Sequence, residues 1–547
     1  MSRPLRWYDV ITINIYYLGL STLANTNGLI LPLLVQGFVG VEAQGAYLGR
    51  LRLWTLMAAL LAQAVMGMLS DRSRLPWGRR RPFIFAGTLL NLGFIAAIGF
   101  SAGLSGLFGY TLLFVFVIGQ QISSNIAQGA QQALIPDLAP EEQRGRFSAV
   151  KAVLELPLPL ILVSFIIGGM VSGGNIWGAL IFVMVILLVT MLITLFVPEK
   201  RPETAPPPLD WGPILRLLGM TAAFTAIILA LGAAVSWTGR ALANGFSDTV
   251  QLLLMGAAGL AAMIAATGLG VWTSVRLSLG RDAASNSPGF TWWVVNRLAY
   301  LVGAVNLSTF AVYYIQARLG FEQERAAGPA SVLLLMVGLF VMSSALSSGW
   351  LSDGKYRRAF SVLAGASVLL GILVALRFQS VILPYVLGCL VAFGLFGLVA
   401  AFRLTERFGH KPLIAAAGLT AAAGTLIALL STTLFTIYLG GAIIGVATGL
   451  FYTANWALGT ELAPKAEAGR YLGISNLAGA GAGAVGAYIG GPIADYFTIL
   501  APTRPGIGYV VLFSIYGSLF LISALALFGV KSRKPGPQAR IAAVPGD

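Results

Sequence analysis

Apolar runs long enough to cross a bilayer follow one another along this chain, separated by short polar loops. They fall at about 10–36, 45–69, 82–101, 107–136, 148–172 and 174–197, then 213–236, 249–275, 292–318, 327–353, 359–377, 383–403, 411–430, 433–458, 468–495 and 507–530. A membrane helix needs about 20 apolar residues, and lipid offers an exposed backbone no hydrogen-bond partner, so each run must form a helix. Only 10% of residues are charged and 57% are hydrophobic, whereas soluble domains carry about 25% charged residues. The expectation is an all-α polytopic membrane protein of sixteen spans. Fourteen is the alternative count, because 359–377 and 249–275 are the weakest runs. The first run is too long for a signal-peptide apolar core and is read as the first span.

Orientation follows from residues 67–82, which carry five arginines between two spans: Arg72, Arg74, Arg79, Arg80 and Arg81. Such charges are costly in hydrocarbon, and the positive-inside bias places the loop in the cytosol. An even number of spans then puts both termini there, in an inner (plasma) membrane protein. Most of the 35 Lys and Arg residues fall on the same side. The net charge of +15 is therefore a topology signal matched by anionic lipid, and no nucleic-acid partner is expected. The single cysteine, Cys389, lies in an apolar run, so no disulfide forms within the chain.

The chain repeats itself. Asp137-Leu-Ala-Pro140 with Gly145-Arg146 matches Glu461-Leu-Ala-Pro464 with Gly469-Arg470, and Ala133-Leu134 falls on Ala457-Leu458 at the same offset. Arg81-Pro82 has a counterpart in Lys411-Pro412. The expected organisation is a six-helix bundle over 1–197, a proline-rich linker and inserted hairpin over 198–291, a second bundle over 292–531 with another extra hairpin, and a disordered tail over 532–547. The second hairpin is either 359–403, inserted in the second bundle, or 292–353, preceding it.

One helix carries the clearest chemical pattern. Gln121, Asn125, Gln128 and Gln132 are spaced four, three and four apart and share a face. Amides are expensive against lipid, so this face points inward, where each amide can both donate to and accept from a polyol. Hydrogen bonding between neighbouring helices is the competing role. Asn25 on the first span, and Tyr452, Asn455 and Trp456 on the repeat-equivalent helix, complete the candidate substrate-binding set. Glu155, read as the only carboxylate well inside a span, is the coupling candidate, paired with Lys151 one turn away or with Arg297 on another helix. Gly67, Asp71, Arg72, Gly78, Arg79, Arg80 and Arg81 form the candidate gating loop. Gly481-x-Gly483-x-x-Gly486 has no strand before it and is not a dinucleotide site; Gly479, Gly483 and Ala487 recur every four residues and read as a helix-packing stripe. His410 has no second ligand, so no metal site is expected. No catalytic residues, cofactor or nucleotide-hydrolysing motif are recognised, and an enzyme is not expected.

The run Gly67-x-x-Ser-Asp71-Arg72…Gly78-Arg-Arg-Arg81-Pro82 resembles the signature loop of the major facilitator superfamily. Together with Asn125-x-x-Gln128-Gly129-x-x-x-Ala133-Leu134-x-x-Asp137, it is most like the sucrose-transporter and glycoside–cation symporter group. The resemblance implies the major facilitator fold, two six-helix bundles around a central site, here with two extra hairpins. The chain departs from that group where its members carry an aspartate and an arginine in helix 4, because those positions are Gln121 and Gln132. The expected function is secondary transport of a small neutral polar solute, a sugar, by alternating access in a monomer, with a proton or sodium ion as the coupling ion. The alternatives are a lipid or drug exporter, or a non-transporting assembly or pigment-handling factor of the same fold.

Overall fold

The computed structural model describes Arg6 and residues 8–199, 211–242, 245–351, 409–464, 468–501 and 506–530. All regular structure among them is helical. Thirteen helices, and up to fourteen with one bent pair counted as a single span, are long and apolar enough to cross a membrane. In chain order these are α1 Asp9–Val39, α2 Gln44–Asp71, α3 Arg81–Ser101, α4 Gly106–Leu138, α5 Glu141–Ser172, α6 Ile176–Thr194, α7 Gly212–Leu242 and α8 Asp248–Leu279. The bent pair is α9, Pro288–Thr309 continued by Ala311–Leu319 across a 58° kink. There follow α10 Ala327–Leu351, α11 His410–Leu430, α12 Leu434–Leu462, α13 Ala468–Leu500 and α14 Ile507–Ala526. The expected spans 359–377 and 383–403, the tail 532–547 and most of the 198–212 linker lie outside the described residues.

Local sequence explains the ends and breaks. Asn175 caps α6 by accepting from the Gly178 N–H at 2.8 Å. Pro82, Pro157 and Pro288 occupy first-turn positions, where the missing N–H leaves no gap. The proline in Leu156-Pro157 breaks α5 in two, and a π turn at Val163–Ile167 follows. Large apolar side chains such as Phe165, Phe196 and Leu215 point outward, as expected where lipid is the solvent.

Packing repeats in the two halves. In the first, α3 packs on α4, α2 on α4, α6 on both α1 and α3, and α5 on α1. In the second, α11 packs on α12, α10 on α12, α14 on both α9 and α11, and α13 on α9. Helices α9 and α10 thus make in the second half the contacts that α1 and α2 make in the first. The α7–α8 hairpin lies along α13, with α8 also touching α9 and α14. Between the halves, α2 crosses α13 and α5 crosses α10. For reference, the face bearing the loop 72–80 is the arginine-rich face, and the opposite one is the far face.

Candidate functional site

A cavity of about 360 Å³ lies between the halves. It is lined by Asn25, Leu156 and Leu160 from the first half and by Tyr314, Thr448 and Tyr452, among others, from the second. The hydrogen bonds that join the halves among the described residues all lie toward the far face. Tyr313 donates to the Pro32 carbonyl at 2.7 Å, Gln323 to the Leu33 carbonyl at 2.9 Å, and the Gly328 N–H to Ser172 Oγ at 2.8 Å. Glycines allow this closeness. A Cβ on Gly45 would sit 2.6 Å from the Gly491 carbonyl oxygen, and one on Gly49 would overlap that of Ala487. Of the expected stripe, Gly483 and Ala487 pack against α2, whereas a Cβ on Gly479 would meet open space.

Toward the arginine-rich face no hydrogen bond joins the halves among the described residues. Tyr452 is 37% exposed and Trp456 42%, although both lie well inside α12. Glu155 ends the first segment of α5 with its side chain 42% exposed, 3.7 Å from Lys151. The Lys151 ammonium also sits 4.5 Å from the Tyr17 ring centroid.

The amide face of α4 is divided. Gln121 and Gln128 are half-buried and make no side-chain hydrogen bond among the described residues, which leaves them available. Asn125 is buried and donates to the Gln121 carbonyl at 2.8 Å. Gln132 is exposed and accepts from Gln63 at 3.0 Å. The neighbouring amides, one residue off the stripe, bind other helices: Gln131 donates to the Ile13 carbonyl at 2.6 Å, and Gln120 accepts from Asn27 at 3.1 Å. Asn25 lines the cavity with its amide donating to the Ser21 carbonyl at 2.8 Å.

In the second half, Asn455 is fully buried inside a side-chain relay. Its Oδ1 accepts from Arg297 Nη1 at 3.0 Å, and its Nδ2 donates to Asn296 Oδ1 at 2.8 Å. Trp293 Nε1 donates to its carbonyl at 2.9 Å. The proposed pairing of Arg297 with Glu155 is not formed: Lys151 holds Glu155, and Asn455 holds Arg297. Glu155 is also not the sole carboxylate within a span. Asp495 in α13 is 6% exposed and accepts from the Gly45 N–H at 2.8 Å and the Ala46 N–H at 2.7 Å, at the N-terminus of α2.

The loop residues form one network. Arg80, 2% exposed, pairs with Asp71, donates to Asp137 at 2.9 Å and reaches Ser70 Oγ at 2.6 Å. Arg79 pairs with the same Asp137 oxygen at 2.6 Å. Partial burial works against the Arg79 charge, but the hydrogen-bonded Asp137 carboxylate, with Asp71 and Glu199 nearby, carries its guanidinium above the ordinary arginine range. Glu199, which sequence reasoning missed, accepts from the backbone N–H groups of Arg79, Arg80 and Arg81 at the start of α3. Gly78 has φ of +117°, and a Cβ there would meet the Glu199 carboxylate, so glycine is required twice over. Gly67 borders the crossing with α4, where a Cβ on Gly129 would lie 3.2 Å from its nitrogen. Arg72 caps the end of α2, and Arg81 opens α3. The pairs made by Arg79 and Arg80 all stay within the first half.

A duplicated helical bundle encloses a central cavity that is mostly aliphatic, with Asn25, Ser308, Thr448, Tyr314 and Tyr452 supplying its polar groups, and this is the architecture of a multi-pass protein of the transporter class. The family description Major Facilitator Superfamily matches residues 388–545, and MFS/sugar transport protein matches residues 29–278. Sucrose transport protein SUT4 of Oryza sativa subsp. japonica is 32% identical over 110 residues, covering 17% of this chain and 18% of that protein. Sucrose transport protein SUC3 of Arabidopsis thaliana is 32% identical over 110 residues, with the same coverage of both. The matched region thus spans about a fifth of the length of these relatives. Among solved structures, a D-xylose-proton symporter superposes with a TM-score of 0.55 at 15% identity, covering 96% of this chain and 98% of that one. The nucleoside transporter NupG does so with a TM-score of 0.56 at 12% identity, covering 95% and 99%. These likenesses concern the fold. The chain belongs to the major facilitator superfamily, and within it resembles the sucrose-transporter group.

Proposed function

We propose that the protein is a secondary transporter that carries a small polar solute of the sugar class by alternating access. The observation that carries this reading is the asymmetry of the cavity. Its halves are hydrogen-bonded toward the far face, while Tyr452, Trp456 and Glu155 are exposed toward the arginine-rich face. The positive-inside bias assigns the arginine-rich face to the cytosol of a plasma-membrane protein with both termini inside, so this is an inward-open form. The domains are the two six-helix bundles over 1–197 and 292–531, with α7–α8 as an accessory hairpin. Gln121, Gln128, Asn25 and Tyr452 contact the solute. Glu155 with Lys151 tunes coupling to a proton or sodium ion, and the loop 67–82 gates the cytosolic side. The likeness to sucrose transport proteins supports the substrate class.

A second reading, movement of a lipid or amphipathic drug, is favoured by a groove of about 510 Å³ between α8, α9 and α14, lined by Trp272, Trp292, Leu519 and Leu525 among others. Proteoliposome uptake separates the two. The expected outcome is saturable uptake of sugars, accelerated by an imposed proton or sodium gradient. Uptake unaffected by any gradient leaves facilitated diffusion, and a lipid flux without sugar flux overturns the sugar reading.

A further inference from the structure

We infer that Arg297, outside the cavity lining but bonded to Asn455 one helical turn from the lining residue Tyr452, determines specificity, and that the solute carries a carboxylate beside its hydroxyls: a sugar acid rather than a neutral sugar. This rests on the transporter reading above. Arg297 stands nine residues after Pro288, about 14 Å along the helix at 1.5 Å per residue. A guanidinium at that depth is held by a counter-charge or by a wet cavity. Among the described residues no carboxylate pairs with it. Glu155 is taken by Lys151, and Glu461 by His410 at 3.1 Å. The only side-chain acceptor bonded to Arg297 is the neutral Oδ1 of Asn455, and its buried Nε has no partner.

The relay behind it fixes what remains free. Asn296 must turn its NH₂ to the Ser523 carbonyl and hydroxyl, both at 2.8 Å. Its oxygen therefore faces the Asn455 NH₂ at 2.8 Å, and the Asn455 oxygen in turn faces Arg297. Asn296 is fully used, and the second N–H of Asn455 is buried out of reach at 0% exposure, so the spare donors open to a solute are those of the guanidinium. A guanidinium has five N–H donors in a planar fork that matches a carboxylate. The ring of Trp456, 42% exposed, lies with its centroid 5.5 Å from the Arg297 Cζ, and Trp293 backs the group at 6.0 Å. A flat aromatic wall beside an anchored fork suits a sugar ring with one acidic substituent. The bound carboxylate supplies the counter-charge that no described residue provides.

The test is binding to the full chain in lipid nanodiscs, read by tryptophan fluorescence, with D-glucuronate, D-gluconate, D-glucose and sucrose as probes, followed by counterflow in proteoliposomes. The acids are expected to bind about 10- to 100-fold more tightly than glucose, the contribution of one charge-assisted hydrogen-bonded pair. Arg297→Gln should erase that preference while its melting temperature stays near that of the parent. Arg297→Lys, which keeps the charge but loses the fork, should retain part of it. Neutral sugars binding as tightly as the acids, an acid preference surviving in Arg297→Gln, or no binding by any probe overturns the inference. Neutral-sugar flux indifferent to Arg297 would sink it and leave the transporter standing. Acid binding without flux would keep the site and remove the transport reading.

Discussion

The two ends of the molecule hold themselves together by different means. Toward the far face, the halves meet through backbone: Gly45 against Gly491, Gly49 against Ala487, and carbonyls of Pro32 and Leu33 accepting from Tyr313 and Gln323. Toward the arginine-rich face, the loop's Arg79 and Arg80 join α2, α3 and α4 of one half through side-chain charges, and Glu199 adds a cap on α3. Contact between backbones falls off within an ångström or so and is all-or-none, because packed interfaces do not deform continuously. A charge network keeps its strength over longer distances and can brace a rigid body. The far-face contact is thus suited to part as a unit, and the arginine network to keep the first bundle whole while it moves.

Arg80→Gln makes the largest expected change and tests the bracing half of that comparison. It removes the bonds to Asp71 and Ser70 and leaves Asp137 to Arg79 alone; the freed carboxylates are partly exposed, so the loss is that of hydrogen bonds to charged groups, about 1.5–3 kcal/mol. The melting temperature in detergent should fall, while the distance between the far ends of the halves stays as in the parent. That distance can be read by paired spin labels at Val41→Cys and Glu322→Cys in a Cys389→Ser background. Far ends that separate in Arg80→Gln would show that the network does more than brace the first half. Gly49→Ala comes next and strikes the other half of the comparison. Its new methyl overlaps the Ala487 carbonyl, and overpacking of this kind costs about 1–3 kcal/mol. The same label pair should report a larger far-open population with little loss of melting temperature. An unchanged distance distribution would mean that the far face closes with room to spare.

Much of this architecture was legible because a bilayer fixes helix length, and the loop 67–82 fixes the direction of every later span. The repeat through Asp137 and Glu461 was legible because it preserves local sequence. Partners far apart in sequence were not. Nothing around Glu199, just after a span and before the proline-rich linker, indicates that it caps a helix at Arg81. Asp495 near the end of α13 reads as an interfacial charge, and it is buried only because Gly45 and Gly491 bring α2 so close. The stripe Gln121–Gln132 shares a face as periodicity requires. Which members are free depended on neighbours, since Gln63 takes Gln132 and Asn125 turns back on its own helix. Arg297 was visible as a charge, but its Asn455–Asn296–Ser523 support was not, because those residues come from three helices.

Asp495→Asn is the smallest expected effect and the sharpest test of the far face, because its carboxylate sits in the α2–α13 crossing itself. The carboxylate accepts two N–H groups of the first turn of α2, where the helix dipole favours negative charge. An asparagine keeps one acceptor but turns an NH₂ toward the second N–H, so a hydrogen bond and the charge–dipole attraction are both lost. That attraction contributes about 0.3–1 kcal/mol, and up to about 2 where it is partly buried, which is a shift of up to about 30-fold in the closed-to-open ratio. The label pair at positions 41 and 322 should show a far-open fraction between those of the parent and Gly49→Ala. Should Asp495→Asn match the parent while Gly49→Ala opens, closure there depends on volume alone, and the carboxylate only satisfies the end of α2. A far-open fraction in Asp495→Asn above that of Gly49→Ala would reverse the ranking and make the buried charge, not the glycine crossing, the principal lock.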